Sequence, residues 1–475
     1  MEKVTRIAVV ASPGFSHLVP ILEFSKRLVH LHPDFHVTCI ITTLESPPSS
    51  SIAYLQTLPS NIDSIFLPPI PKQELPQDVI PGVHVQLTVT LSLPYIHNEL
   101  KSIKSKIGLA ALVVDGFSLE ALDFASELNI FSYIYLPNAA MIFSLYYYSL
   151  NLDETVSSEF RDLKEPLKFP GCVPIHGRDL PTPFQDRSSL GYTQFLERAR
   201  KLRFADGVLI NSFQELEPDT VRAIHEEEIQ GKKKKKPQVF LVGPVIQSGS
   251  SNETNGPDYC LTWLNNEPKK SVLYVSFGSG GTLSQDQLNE LAHGLELSEV
   301  RFLWVVRAPS KVSTAAYLVD TLNENNPLGF LPEGFLERTK ERGLVVPSWA
   351  PQIPILKHSS VGGFLSHCGW SSTIEGIVHG VPFITWPLFA EQRMNAVLLN
   401  DGLKVALRPK VKENNNGIVD RQEIAKVVKS LMDDEESNEI RVRIKILKDA
   451  AANALMEDGS SSRTLSVFAM NLRDK

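Results

Sequence analysis

Cysteine is scarce in this chain of 475 residues: Cys39, Cys172, Cys260 and Cys368 are widely scattered, and no Cys-x-x-Cys pair occurs. That argues against a zinc ribbon or a redox dithiol and fits reduced thiols in the cytosol. Long hydrophobic runs are missing too. No stretch approaches the roughly 18 apolar residues of a membrane span, and the apolar run before Val10 is too short for the core of a signal peptide. The expectation is a cytoplasmic protein with no membrane insertion. Positive charge is not in excess: 47 Lys and Arg stand against 54 Asp and Glu, a net charge of −7. Nothing global therefore draws the chain toward nucleic acid. Its one basic run, Lys232 to Lys236, lies between Glu226–Glu228 and Pro237 and reads as a solvated surface loop. Asp-x-Asp is absent throughout, so a metal bridge of that kind has no ligands, and no metal is expected.

What is present is a repeating grammar. Short β-branched runs alternate with amphipathic segments of helical length, the pattern of an α/β fold with parallel sheets. In the first half Ile7–Ala11, His36–Ile41, Ser64–Leu67, Ala111–Asp115, Ser132–Tyr135, Gly207–Asn211 and Val239–Val242 read as strands. Helices are predicted over Leu18–Leu31 and Leu119–Leu128. The run from Gly243 to Pro257 is rich in Gly, Ser, Asn and Pro, which sets a linker at 244–257 between domains 1–243 and 258–459. Beyond it the grammar restarts, with strands Ser271–Phe277, Phe302–Val306, Gly343–Val346 and Val361–Ser366 and a helix over Ser284–Leu297. Everything from Asp420 onward reads as helical, and the segment 460–475 is expected to pack back on the first domain. Two doubly wound domains meeting across a cleft is the architecture implied. In open parallel sheets ligands gather beyond the carboxyl ends of the strands. That rule nominates the loops after Ala11, Asp115, Phe277, Val346 and Ser366.

The loop after Ser366 carries the strongest local chemistry. His367–Ser371 reads as a short polar turn, followed by a helix from Thr373 to Gly380 that Val381-Pro382 stops. A helix start directly after a parallel strand presents free N–H groups and positive dipole to an anion, and a diphosphate fits there. The loop Gly278-Ser279-Gly280-Gly281 follows another strand, so its backbone can approach a phosphate closely. It lacks the third glycine of G-x-G-x-x-G and any Walker lysine, which argues against a nicotinamide site or a P-loop. Ser372-Thr373-Ile374-Glu375 is a capping-box pattern, in which Glu375 would bond back to the helix start.

Trp349 to Gln392 forms one block of 44 residues, WAPQIPILKHSSVGGFLSHCGWSSTIEGIVHGVPFITWPLFAEQ. It resembles, without a gap, the signature box of plant secondary-product UDP-glycosyltransferases through Trp349, Gln352, His358, His367, Gly369, Trp370, Ser372, Glu375, Pro387 and Gln392. The runs Ser271–Ser284 and Ala390–Leu399 look most like the hydroquinone and phenolic glucosyltransferase subgroup, and the likeness covers essentially the whole chain. This resemblance implies the GT-B fold, two Rossmann-like domains with acceptor on the first and UDP-sugar on the second. It implies that Trp349 stacks on uracil, with Ala350 and Gln352 also in the nucleoside site. Glu375 would hold the ribose hydroxyls instead of capping its helix. His367, Trp370, Ser371 and Ser372 would surround the pyrophosphate together with the Ser279 loop, and Glu391 and Gln392 would hold the sugar. Two positions depart from the usual box: Ser371 stands where Asn is usual, and Glu391 where Asp is usual. Gln392 in place of His favours glucose over galactose. UDP-glucose would be a co-substrate, with no further cofactor.

Ser12-Pro13-Gly14-Phe15-Ser16-His17 follows the first strand. Taken alone, His17 is either a helix-start residue that bonds its own backbone or a base. Asp115, ending its strand, either caps the next turn or partners that base. The resemblance selects His17 as the catalytic base and Asp115 as its partner. A phenol with a pKa of about 10 is little ionised at neutral pH, and a positioned imidazole takes its proton as the oxygen attacks the anomeric carbon. An anionic Asp115 would offset the charge gained by His17 beside a helix N-terminus and fix its tautomer. The expected reaction is one in-line displacement with inversion, UDP leaving. The acceptor would be a small phenol, phenylpropanoid or flavonoid, and the enzyme a monomer. Phe15, Phe117, Met141, Phe143, Tyr146, Phe184 and Phe195 are the candidates to hold its ring. The Pro-rich stretches Leu67–Pro81 and Phe169–Pro183 read as loops that shape the way in. Two rival readings are a non-catalytic binding protein, against which the retention of both His17 and Asp115 argues, and an enzyme with a lipid or sterol acceptor. The second predicts membrane-facing features that the first half lacks.

Overall fold

The computed structural model describes residues 4–77, 79–229, 237–247, 259–314, 326–411 and 417–473. The basic run Lys232–Lys236 and the expected linker beyond residue 247 lie outside these residues. The first half forms a parallel sheet of β1 (Thr5–Ala11), β2 (Phe35–Ile41), β3 (Ile62–Phe66), β4 (Ala111–Asp115), β5 (Phe131–Leu136), β6 (Gly207–Ile210) and β7 (Gln238–Leu241). Their order is β3-β2-β1-β4-β5-β6-β7. Near-continuous apolar runs make these strands: Val9, Val10, Val113, Val114 and Ile134 are wholly buried, as strands covered on both faces require. The second sheet contains β8 (Val272–Ser276), β9 (Arg301–Val306), β10 (Gly343–Pro347), β11 (Val361–Ser366), β12 (Phe383–Thr385) and β13 (Ala406–Leu407). It runs β10-β9-β8-β11-β12-β13, again parallel.

Both sheets reverse their winding next to the first strand, between β1 and β4 and between β8 and β11. At such a switch point the loops of neighbouring strands leave toward opposite faces and open a crevice at the carboxyl ends. The α/β class and most strands follow the sequence reading; β12 and β13, only three and two residues long, carry too little pattern to be seen. Helices begin earlier than the apolar periodicity suggests. The first covers Phe15–Leu31, not Leu18–Leu31, because Gly14 caps it at φ 110. The one after β11 covers Trp370–His379, with Gly369 as its cap and left-handed Gly380 ending it. The segment predicted as one helix over Leu119–Leu128 splits into a 3-10 turn, Leu119–Ala121, and a helix, Leu122–Glu127. From Asp420 the chain is broken into helices Arg421–Met432, Asn438–Leu455 and Ser460–Arg473.

By their contacts the residues fall into two compact units. One holds Met1–Arg178, Pro183–Gly249 and Ala451–Lys475, the other Asp179–Thr182 and Ser250–Ala450. The helix Ser460–Arg473 therefore belongs with the first sheet, where Leu465, Phe468, Ala469 and Leu472 join the core around Phe24, Tyr133 and Phe240. Arg27 fastens its start, donating to the Ser461 hydroxyl at 2.9 Å and the Ser462 hydroxyl at 3.1 Å. In the second unit Leu291 and Leu295 of helix Gln285–Ser298 and Val428 and Leu431 of helix Arg421–Met432 bury against Phe302 and Trp304. Ser284 caps the former helix, its hydroxyl accepting from the Gln287 amide. Among the described residues no helix is long and apolar enough to cross a membrane.

Candidate active site

In the first unit, β1 runs into Ser12-Pro13-Gly14, and His17 stands in the first turn of the helix that follows. Its amide donates to the Gly14 carbonyl at 3.1 Å. Its ring meets the Phe117 ring edge-on, centroids 5.2 Å apart, and the Arg198 guanidinium lies 4.9 Å from the Phe117 ring centre. Asp115, buried at the end of β4, accepts on one oxygen from the Ser12 amide at 2.7 Å and from the Ser12 hydroxyl. Its other oxygen accepts from the Phe117 amide at 3.0 Å, the turn-capping role the sequence had left open. Among the described residues no hydrogen bond joins His17 to Asp115; the carboxylate reaches the imidazole through its charge. Burial lowers the His17 pKa below the usual 6.5, and the negative Asp115 opposes that lowering. His17 is thus a neutral imidazole near pH 7, able to accept a proton beside a carboxylate that would stabilise the product cation.

In the second unit the loops after β8 and β11 close on one another around His367. Gly278 has φ 73, and a methyl group there or at Gly369 would stand 2.5 Å from the His367 ring. Only glycine permits this approach from both sides. Burial holds the His367 pKa at about 4, so the ring stays neutral. Among the described residues its Nδ1, the Thr373 hydroxyl and the Asn395 side-chain oxygen are buried without a hydrogen-bond partner. Such atoms are uncommon in folded proteins and call for an explanation. Cys368 adopts φ 65, with its carbonyl held by Asn395 Nδ2 at 2.9 Å. Trp370, Ser371 and Ser372 form the first helical turn, correcting the sequence reading of Trp370 and Ser371 as turn residues. The helix start has no side-chain cap, while the Trp370 amide donates to the Glu391 carboxylate. Ser279 and Ser371 are exposed and Ser372 is buried.

Trp349 follows the left-handed Ser348 and leaves 46% of its surface exposed, unusual for tryptophan, whereas Ala350 is buried. Gln352 Nε2 donates to the Ser372 hydroxyl at 2.9 Å and to Glu375 at 2.7 Å. These bonds exclude the capping box: Ser372 lies inside the helix, and Glu375 reaches sideways to Gln352. Burial raises the Glu375 pKa to about 7, against the Gln352 bond that lowers it. The Gln392 side-chain oxygen accepts from the Leu388 amide at 2.9 Å and the Phe389 amide at 3.0 Å, closing that loop. Glu391 is pushed up by burial, moderated by backbone bonds. Among the described residues no group of three or more His, Cys, Asp or Glu side chains is placed to hold a metal ion.

The aromatic candidates divide. Phe15, Phe117 and Tyr146 are half-buried, while Met141, Phe143, Phe184 and Phe195 are buried. Phe143 belongs to a core cluster of the first sheet, and Phe184 packs among Phe160, Tyr192 and Phe195. Helix Ala140–Thr155 is buried continuously from Ala140 to Leu145, so its sequence offers no distinct lining face. Three polar residues of these sites escaped the sequence reading. Ser12 and Asn395 were in plain view, one just before Pro13-Gly14 and the other within Ala390–Leu399, but nothing marked their bonding. Asp179, whose carboxylate pairs with Arg408, gave no signal.

Two Rossmann-like domains, with loops at the switch point of each sheet, have the architecture of the GT-B class. The family profile described as UDP-glucoronosyl and UDP-glucosyl transferase matches residues 232–454. The chain is 48% identical to hydroquinone glucosyltransferase of Rauvolfia serpentina, over 100% of this chain and 99% of that protein. It belongs to this family, among its plant members, and is a UDP-glycosyltransferase. A UDP-glucosyltransferase from Polygonum tinctorium capable of glucosylating indoxyl, solved with 3,4-dichloroaniline, matches at TM-score 0.89 and 45% identity, covering 99% of both chains. UGT2 of Phytolacca americana, complexed with UDP-2fluoro-glucose and pterostilbene, matches at TM-score 0.88 and 43% identity, covering 99% of this chain and 100% of that one.

Proposed function

We propose that the protein is an inverting, UDP-glucose-dependent O-glucosyltransferase for small phenolic acceptors, phenylpropanoid or flavonoid, with His17 as general base and Asp115 as its partner. The observation that carries this is an imidazole in the first turn after β1, packed edge-on against Phe117 and under the charge of the buried Asp115 carboxylate at the end of β4. The acceptor O–H bond breaks toward His17 as its oxygen attacks the anomeric carbon and the bond to UDP breaks. One displacement inverts an α-linked donor to a β-glucoside. Asp115, held by Ser12 and Phe117, stabilises the imidazolium without itself taking the proton.

On the donor side the exposed Trp349 face takes the uracil, flanked by Ala350 and Gln352, and Glu375 accepts from the ribose hydroxyls. His367, Ser279, Ser371 and Ser372 donate to the pyrophosphate, whose charge the positive end of the helix Trp370–His379 favours. Glu391 and Gln392 hold the sugar hydroxyls. Departing charge is thereby met by protein donors, and we infer turnover without a metal ion. The half-buried Phe15, Phe117 and Tyr146 are the aromatic residues best suited to an acceptor ring. The names of the relatives, a hydroquinone glucosyltransferase and a protein complexed with pterostilbene, support a phenolic acceptor. The same reading takes the enzyme to act as a cytoplasmic monomer.

Incubation of the purified protein with UDP-glucose and a panel of phenols in EDTA tests this reading. The expected result is a new glucoside by mass, with the large anomeric proton coupling of a β-linkage. No product from any phenol, with UDP-glucose bound, would overturn the phenolic assignment; product only without EDTA would overturn metal independence.

A further inference from the structure

The segment Asp179–Thr182 leaves the first half of the chain and packs within the second unit. There it touches both flanks of Glu391-Gln392. On the near side, the Thr182 amide donates to the Ala390 carbonyl at 3.1 Å. Ala390 is held at φ 51, a left-handed conformation that costs a non-glycine residue free energy and needs support from its surroundings. On the far side, the buried Asp179 carboxylate pairs with Arg408 at 2.8 Å. Arg393, the residue after Gln392, feels both the negative Asp179 and the positive Arg408. Asp179 thereby offsets the repulsion of two neighbouring cations. The two-residue pair is bracketed, its preceding carbonyl held by one end of the segment and its following side chain by the field of the other.

We propose that residues 179–182 act as a positioning clamp for Glu391 and Gln392, so that Asp179 and Thr182 set how well the donor site handles the sugar of its nucleotide. This rests on the assignment of Glu391 and Gln392 to the sugar. The chemistry is directional: a carbonyl fixed in a strained turn fixes where the next two side chains begin. Glu391 is held further by the Trp370 amide and Gln392 by two amides of its own loop. Releasing the clamp should let the pair drift relative to the sugar while leaving the nucleoside and phosphate contacts as they are.

Two substitutions remove one contact each. Asp179→Asn keeps the shape and removes the charge. Thr182→Pro removes the one N–H, at the first residue of the 3-10 turn Thr182–Gln185, where proline is tolerated. For each variant, KM for UDP-glucose and UDP-galactose, kcat, and the Kd of UDP are measured, with Glu391→Ala as reference. Loss of such a contact should raise KM for UDP-glucose about five- to tenfold and narrow the preference between the two sugars. The Kd of UDP should stay within about twofold, since UDP carries no hexose. If Glu391→Ala alters sugar handling while both clamp variants behave as wild type, the clamp is overturned and the sugar pair stands. If Glu391→Ala leaves sugar handling unchanged, the assignment beneath the clamp falls, and the clamp with it. A parallel loss of UDP affinity in the clamp variants would reveal a general structural role and also overturn the proposal.

Discussion

His17 and His367 occupy comparable places, each just past a strand at the switch point of its sheet, each beside a glycine with positive φ, each buried enough to lower its pKa. The difference lies in what else is near. His17 has Asp115, whose charge pulls its proton affinity back up against burial. His367 has only desolvation, which holds it at about 4. One ring is kept where it can gain a proton and the other where it stays neutral. What separates the two rings is a single carboxylate, whose charge opposes burial at His17 and has no counterpart among the causes of the shift at His367.

The sharpest way to break this comparison is His17→Ala. Loss of a general base should lower kcat by about 10²- to 10⁴-fold, with the Kd of UDP-glucose nearly unchanged. In the wild type the same group should put the acid limb of kcat/KM below the usual histidine midpoint of 6.5, because its net shift is downward. Turnover like that of the wild type in the alanine variant would remove His17 from the chemistry altogether.

A smaller effect separates the two glycines. A methyl at Gly14 would approach the His17 ring at an ordinary 3.4 Å, whereas at Gly278 it would stand 2.5 Å from the His367 ring. Both alanine variants pay for positive φ, but only Gly278→Ala must also displace a packed imidazole. Overpacking of that kind costs about 1–3 kcal/mol, so UDP affinity should fall roughly ten- to hundredfold if the displaced ring is a phosphate donor. Gly14→Ala should leave UDP affinity alone and disturb kcat. Equal effects of both on UDP binding, measured by calorimetry, would show that the glycines serve the backbone only and not the rings beside them.

These contacts also mark where the sequence is readable. Strands such as Ala111–Asp115 and Val361–Ser366 are legible because buried parallel strands must be apolar along their length. Their loops announce themselves as Gly-rich breaks, and the block Trp349–Gln392 identifies its family unaided. Helix starts are less legible, since Phe15–His17 and Trp370–Ser372 are first-turn residues lying outside the apolar periodicity that marks a helix. The Ser372–Glu375 pattern misleads for a related reason: spacing cannot distinguish a cap from the third residue of a turn. Ser12 and Asp179 bond partners 103 and 229 residues away, and no local pattern encodes that distance.

The gentlest perturbation concerns Glu375, buried in the helix Trp370–His379 and bonded by Gln352 Nε2 at 2.7 Å. A buried carboxyl raised from 4.5 to about 7 is protonated in the folded state over a range where the unfolded chain would ionise it. Folding then takes up a proton, so this group's contribution to stability is full below pH 4.5 and is lost as pH rises through 7. Glu375→Gln keeps an acceptor for Gln352 but cannot ionise. The variant should therefore match the wild type near pH 4.5 and exceed it near pH 8 by about 1–3 kcal/mol, an order-of-magnitude figure read from denaturant melts at the two pH values. UDP affinity should move the other way, weakening about fivefold at pH 8 as charge-assisted bonds to the ribose become ordinary ones. Greater stability with weaker nucleotide binding is the signature of a carboxylate retained for its ligand at the expense of the fold. If the variant loses stability at both pH values and binds UDP normally, Glu375 is a structural residue after all.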